Sequence, residues 1–257
     1  MILIAGDSWG AGEFQEVGDG ISHPGFLEYF DDIGVNALNI SKPGGSNFDT
    51  YESLKNFLMI NYHYRKKIKG IIVWKTEWWR DYRAYNINLF NSLAVLHEEL
   101  KYGYSSLKSR WVERFYIRLN ELYNFYHIPF YVIGGCSDAL WFDNKNEYPG
   151  VNVICQSATN LLLNSDHRIN NPILCEFVAN NEFVEIIKKY SKNPGDISEL
   201  LVDIDLGNNR IKQFKDAPEL FYPDGIHPNR TALKTLFDFI VQDSDFKKVL
   251  TSEQDLL

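Results

Sequence analysis

Two short segments at opposite ends of the chain hold residue types that can act together. Gly6-Asp7-Ser8-Trp9 presents a serine, and Asp224-Gly225-Ile226-His227-Pro228 presents a carboxylate and an imidazole three positions apart. A serine hydroxyl is a weak nucleophile until a neighbouring base takes its proton, and an imidazole does this well when a third group orients it. In a turn, the Asp224 carboxylate has the reach to accept from Nδ1–H of His227, which leaves Nε2 for the Ser8 proton. The chemistry implied is acyl transfer, with Ser8 as nucleophile, His227 as general base and Asp224 as orienting carboxylate. Glu77 and Asp81 are alternatives to Asp224. Asp7 reads first as a residue that holds its turn by accepting backbone hydrogen bonds and second as an additional acid.

These residues need elements that bring them together. Five apolar residues, 1–5, predict a short buried strand, and the Gly-Asp-Ser turn lifts Ser8 to the carboxyl edge of a sheet, where open α/β folds bind ligands. Further strands are expected at 36–40, 70–76, 129–134 and 150–155. Helices are expected at 23–33, 48–66, 86–101, 107–127 and 177–190, and this alternation predicts an α/β layer fold with a parallel sheet of about five strands. Within 107–127, Leu107, Trp111, Phe115, Leu119, Leu122 and Phe125 recur at helical spacing as a core-facing stripe. Leu233, Leu236, Phe237 and Ile240 mark a packed helix just after His227, so Asp224 and His227 fall on the loop entering it.

Gly6-Asp7-Ser8 within the first ten residues, a glycine after the second strand and Asp-x-x-His before the last helix resemble the SGNH, or GDSL, hydrolase superfamily. The resemblance spans Gly6 to His227. It implies a three-layer flavodoxin-like fold and an ester hydrolase that uses no metal and no organic cofactor. It also implies an oxyanion hole formed by the N–H groups of Ser8 and Gly44, with Gly45 as the register alternative. Family members carry a Gly-x-Asn-Asp block after the third strand, whose asparagine donates to the oxyanion. Here that register reads Lys75-Thr76-Glu77, so Thr76 stands where the asparagine is expected, and Asn47 is a second candidate for the missing amide. A threonine hydroxyl is shorter than an amide and can turn to a backbone carbonyl instead. Ser46 or Asn47 also suits the N-cap of the following helix.

Composition sets the outer bounds. The chain has 257 residues, 45% of them hydrophobic, enough for a full core. No Pro/Ser/Gly-rich linker divides it, so one domain over 1–257 is expected, with insertions around 79–106 and 156–222. A net charge of −8, with Arg65-Lys66-Lys67 the longest basic run, argues against nucleic-acid partners. Lys66-Lys67 reads as a solvated helix end. No apolar run reaches membrane-spanning length, and residues 1–5 lack the basic leader of a signal peptide. Cys136, Cys155 and Cys175 form no Cys-x-x-Cys pair, which fits a reduced, cytoplasmic setting and structural thiols. His23, His63, His97, His127 and His167 lack metal-ligand spacing.

Aromatic residues make up 15% of the chain. Trp74 lies within an apolar strand and is expected in the core, along with at least one of Trp78 and Trp79. Trp9, Trp78 and Trp141 are expected along the cleft, where flat apolar faces suit a sugar ring or acyl chain. The expected substrate is therefore a small or carbohydrate-borne acetyl ester. Two other readings stand beside this one: a binding or assembly protein on the same scaffold with a weakened site, and a nucleotide binder. The latter is disfavoured because no Gly-x-Gly-x-x-Gly or Walker-type loop follows a strand.

Overall fold

Strand β1 (Ile2–Ala5) is apolar at every position, as a strand covered on both faces must be. In the computed structural model it lies between β4 (Ala37–Asn39) and β5 (Gly70–Lys75), and β6 (Phe130–Gly134) and β7 (Val151–Cys155) complete the sheet. All five strands are parallel, in the order β4-β1-β5-β6-β7. Each lies within one residue, at both ends, of the span expected for it. The structure describes residues 1–14, 21–76, 81, 104–135, 138–139, 147–169, 217–222 and 227–251. The expected helices at 86–101 and 177–190, and most of both insertions, lie outside the described residues.

Counted along the sheet, the strand order is 2-1-3-4-5, the flavodoxin-like doubly wound order. In such folds ligands bind beyond the carboxyl ends of the strands, where the order reverses. Here that point lies between β1 and β5, which are paired from Ile2↔Gly70 to Ala5↔Val73.

Alternation along the strands divides the core in two. Leu3, Ala5, Ile71, Val73, Phe130 and Val132 face α3 (Asn47–Ile60) and α5 (Tyr104–Tyr126). Ile2, Ile4, Ile72, Trp74, Tyr131 and Ile133 face α2 (Phe26–Asp32), α6 (Ala158–Leu162), α7 (Arg230–Ile240) and α8 (Ser244–Thr251). The result is three layers. Helix α7 buries Leu233, Leu236, Phe237 and Ile240 as its spacing predicts, and the Phe237 ring meets Phe30 at 5.0 Å and Phe26 at 5.4 Å. Its first turn is capped by Asn229, whose Oδ1 accepts from Ala232 N–H at 3.1 Å.

Three expectations change. The helix expected over 48–66 is broken at Asn61 into α3 and α4 (Tyr62–Arg65): Asn61 N–H makes the last helical bond of α3, to Phe57 O, its side-chain amide donates to the same carbonyl, and at φ −97° and ψ 59° its backbone leaves the helix. Phe125 is 74% exposed, and the partly buried Tyr126 continues the buried face of α5 instead. The helix expected over 23–33 starts only at Phe26, because His23 ends a small antiparallel hairpin, β2 (Glu13–Phe14) with β3 (Ile21–His23), that follows the one-turn helix α1 (Ser8–Ala11). Among the described residues no helix is long and apolar enough to cross a membrane.

Candidate active site

The site is built on the end of β1. A Cβ on Gly6 would lie 2.5 Å from Trp74 Cβ and 2.8 Å from Trp74 O, so only glycine lets β1 end this tightly against β5. Asp7 follows, fully buried, and its Oδ1 accepts from Trp9 N–H at 3.0 Å while its carbonyl accepts from Ala11 N–H at 3.1 Å. This is the turn-holding role expected of Asp7. Ser8 thereby becomes the first residue of α1, where a backbone N–H has no intrahelical acceptor. Helix α1 is fixed sideways by Asn39, whose Nδ2 donates to Gly10 O at 2.8 Å.

The glycine loop after β4 lies on the same carboxyl edge. Lys42 N–H donates to Gly6 O at 2.9 Å, which ties the loop to the serine turn. Gly44 is exposed at φ +70°, a left-handed position where a side chain would be strained. Gly45 N–H closes the turn by donating to Lys42 O at 2.9 Å. This separates the two register alternatives: the Gly45 N–H is engaged, whereas the N–H groups of Gly44 and Ser8 donate to nothing among the described residues. Ser46 is the N-cap of α3, in a capping box with Asp49.

The end of β5 corrects two expectations. Asn47 does not present its amide to a ligand. Its Oδ1 accepts from Thr76 N–H at 3.0 Å, and its Nδ2 donates to Thr76 O at 3.1 Å and to Asp81 Oδ2 at 3.3 Å. Thr76 is fully buried, with both backbone groups bonded, so it is an anchored strand end rather than a donor offered at an open edge. Lys75, also fully buried, donates through Nζ to Thr76 O at 3.0 Å and to Asp138 O at 2.9 Å. Asp81 accepts from Phe48 N–H at 2.7 Å, near the start of α3. Its position at α3 makes it a support of that helix rather than a substitute for Asp224. Burial pushes the Asp81 carboxyl up to about 7, against the opposing pull of the Phe48 N–H, the Asn47 amide, Lys75 and Arg118.

The histidine loop reaches this edge through its neighbours. Tyr222 N–H donates to His227 O at 3.0 Å, and Phe221 bridges Pro228, forming a narrow antiparallel contact. The Phe221 ring packs 6.1 Å from Trp9, next to Ser8. Glu13, just beyond α1, accepts from the Tyr222 hydroxyl and from Arg230 Nε at 3.1 Å. Tyr29 Oη donates to Arg230 O at 3.2 Å. His227 is half-buried there. Asp224 and Glu77 lie outside the described residues. Among those described, the Ser8 hydroxyl makes no hydrogen bond, so the expected contact with His227 is not formed in this state.

Trp9 is the third correction. It is 1% exposed and packs between Trp74 at 6.2 Å and Phe221 at 6.1 Å, so it is a core residue and not a wall of the cleft. Trp74 is buried as expected, while Trp78, Trp79 and Trp141 lie outside the described residues. Cys155 is buried, and burial pushes its thiol up to about 12, the condition of an inert structural cysteine. Cys136 and Cys175 also lie outside the described residues. His23 is structural: its Nδ1 accepts from Gly25 N–H at 3.0 Å and its Nε2 faces Glu28 at 3.3 Å. Among the described residues no cluster of three or more His, Cys, Asp or Glu has metal-binding geometry.

Sequence reasoning missed Glu13, Tyr222 and Arg230, whose contacts span more than 200 positions and leave no local pattern. Lys75 did leave one, as a charge ending the apolar run Ile71-Ile72-Val73-Trp74. With the geometry in place, a comparison with protein-family models and with curated proteins finds no match for this chain.

Proposed function

We propose that the chain is a serine ester hydrolase acting on small or carbohydrate-borne acetyl esters. The observation that carries this reading is the pair of uncommitted N–H groups, those of Ser8 and Gly44, on loops joined by the Lys42–Gly6 hydrogen bond at the switch point of the sheet. Unclaimed backbone donors beside a serine are what a developing oxyanion requires. In the proposed cycle, Ser8 Oγ attacks the ester carbonyl as its proton passes to His227 Nε2, with Asp224 orienting the ring. The tetrahedral oxyanion is held by the two amides, and the alcohol leaves with the proton from His227. Water then attacks the acyl-enzyme, giving up a proton to His227, and the carboxylic acid departs as Ser8 regains its hydrogen.

A hole of two amides, lacking the side-chain donor that the resemblance leads one to expect, forgoes roughly 2.7–4 kcal/mol of transition-state stabilisation. This supports slow hydrolysis of reactive esters more than fast hydrolysis of hindered ones. With Trp9 in the core, the sugar preference rests on Trp78 and Trp141. The test is hydrolysis of p-nitrophenyl acetate, together with fluorophosphonate labelling, by wild type and Ser8→Ala. Labelling and turnover that both disappear in Ser8→Ala are expected; equal rates in the two proteins would refute the nucleophile.

A second reading, a binding or assembly protein on this scaffold, is favoured by the Ser8 hydroxyl making no hydrogen bond among the described residues and by the burial of Thr76. It predicts a folded wild type that neither labels nor turns over.

A further inference from the structure

We propose that Asn47 is a positioning residue of the Ser8 site: its carboxamide braces the Gly44 loop onto the end of β5 and so sets where the Gly44 N–H stands. The proposal rests on the serine-hydrolase reading above and concerns how that site is held. Asn47 is 1% exposed, and its amide meets Thr76 as one strand meets another, accepting from the N–H at 3.0 Å and donating to the carbonyl at 3.1 Å. A primary amide is the side chain that can satisfy both halves of a peptide group in this way. Buried and directional, the pair is costly to break.

The brace matters because of what lies three residues before it. The loop 41–47 is held at its front by Lys42 N–H on Gly6 O and by Ser41 N–H on Asn39 Oδ1 at 2.9 Å. At its back, Ser46 is locked to Asp49 and Asn47 to Thr76. Gly44 sits between these two anchors, one on the β1 side and one on the β5 side. Without the Asn47–Thr76 bond, the turn that holds Gly44 at φ +70° loses its direct tie to the end of β5 and is held at the rear by the start of α3. The oxyanion is sensitive to such a shift, since an error of about 1 Å in a reacting geometry can cost on the order of a hundredfold in rate. An amide that the resemblance expects on β5 is thus found on α3 and turned inward, serving the hole from behind.

The experiment compares wild type, Asn47→Ala and Leu58→Ala. Leu58 is buried in the same helix, far from the carboxyl edge, so its variant controls for lost stability. Fluorophosphonate titration first counts competent sites, and p-nitrophenyl acetate kinetics are then expressed per site. For Asn47→Ala, kcat per site is expected to fall roughly ten- to a hundredfold with KM changed less than about threefold, while Leu58→Ala keeps the wild-type value per site. Amide hydrogen exchange supplies the readout that does not need turnover. Thr76 and Gly45 amides should exchange at least about tenfold faster in Asn47→Ala, with Ile72 and Val73 unchanged.

Unchanged protection at Thr76 and Gly45 would overturn the brace itself. Faster exchange with an unaltered kcat per site would overturn the positioning role. A wild type that neither labels nor hydrolyses would overturn the serine reading, and the catalytic half of this proposal with it. The exchange result still decides whether the brace exists.

Discussion

Replacing Asp81 by asparagine should remove an unusual pH dependence of stability. The Asp81 carboxyl is buried, and burial raises it to about 7 despite the Phe48 N–H and the Asn47 amide. In the unfolded chain the same group titrates near ~3.9. Between these values the folded protein keeps a proton that the unfolded chain has released, so the native state binds more protons and stability falls as pH rises. The sign is opposite to that of a salt-bridged aspartate: the contribution is fully present below about pH 4 and is lost as pH rises through 7. At ~1.36 kcal/mol per pH unit, a gap of about three units amounts to roughly 4 kcal/mol, of which about 2.5 kcal/mol falls between pH 5 and pH 8. Asp81→Asn keeps an oxygen for the Phe48 N–H and cannot titrate. Urea unfolding of both proteins, followed by tryptophan fluorescence at pH 5 and pH 8, isolates the effect, because all other titrating groups cancel in the difference. Wild type should lose about 2.5 kcal/mol more than the variant across this range. Parallel profiles, agreeing to within ~0.5 kcal/mol, would refute a buried carboxyl that holds its proton up to neutrality.

Two further outcomes follow from the contacts. Trp9→Ala should destabilise by ~3–5 kcal/mol in denaturant titration, as removal of a buried ring between Trp74 and Phe221 does; its KM per competent site should be unchanged, and a large rise in KM would restore Trp9 to the cleft. Glu13→Ala leaves the part-buried Tyr222 hydroxyl without its carboxylate and should cost ~1–3 kcal/mol. Its loss should speed amide exchange at Tyr222, whose N–H holds His227 O, whereas Glu13→Gln, which keeps an acceptor for Tyr222 and gives up only the charge facing the exposed Arg230, should cost less than the alanine variant.

What could be read in the sequence follows the range of the forces involved. The five strands are legible because a parallel sheet covered on both faces demands unbroken apolar runs such as Ile2-Leu3-Ile4-Ala5 and Ile71-Ile72-Val73-Trp74. The face of α7 is legible because a single helix writes its own period. The direction of a buried side chain is not written there. Nothing near Asn47 in the chain says that its amide turns toward Thr76, 29 positions away, rather than outward, and nothing near Trp9 says that Phe221 will cover it. That the Gly45 N–H closes the turn on Lys42 O is likewise a backbone hydrogen bond, which residue types do not specify. The α3–α4 break shows local chemistry prevailing over periodicity, since an Asn side chain competes for the helix's own carbonyl.

The Glu13 contacts with Tyr222 and Arg230 join residues 209 and 217 positions apart. Such a closure carries an entropic cost that grows only slowly with length, about 0.6 kcal/mol for each doubling, but it has a large effect on order of events. In synthesis from the N- to the C-terminal side, the serine turn precedes its partner loop by more than 200 residues. Every contact between α1 and residues 217–230 is among the most non-local in the fold, the kind that forms slowly and after local structure. Until residues 217–222 and 227–230 have been added, the Ser8 turn stays uncovered on its α7 side, and any reactivity that depends on the His227 loop waits for those long-range contacts.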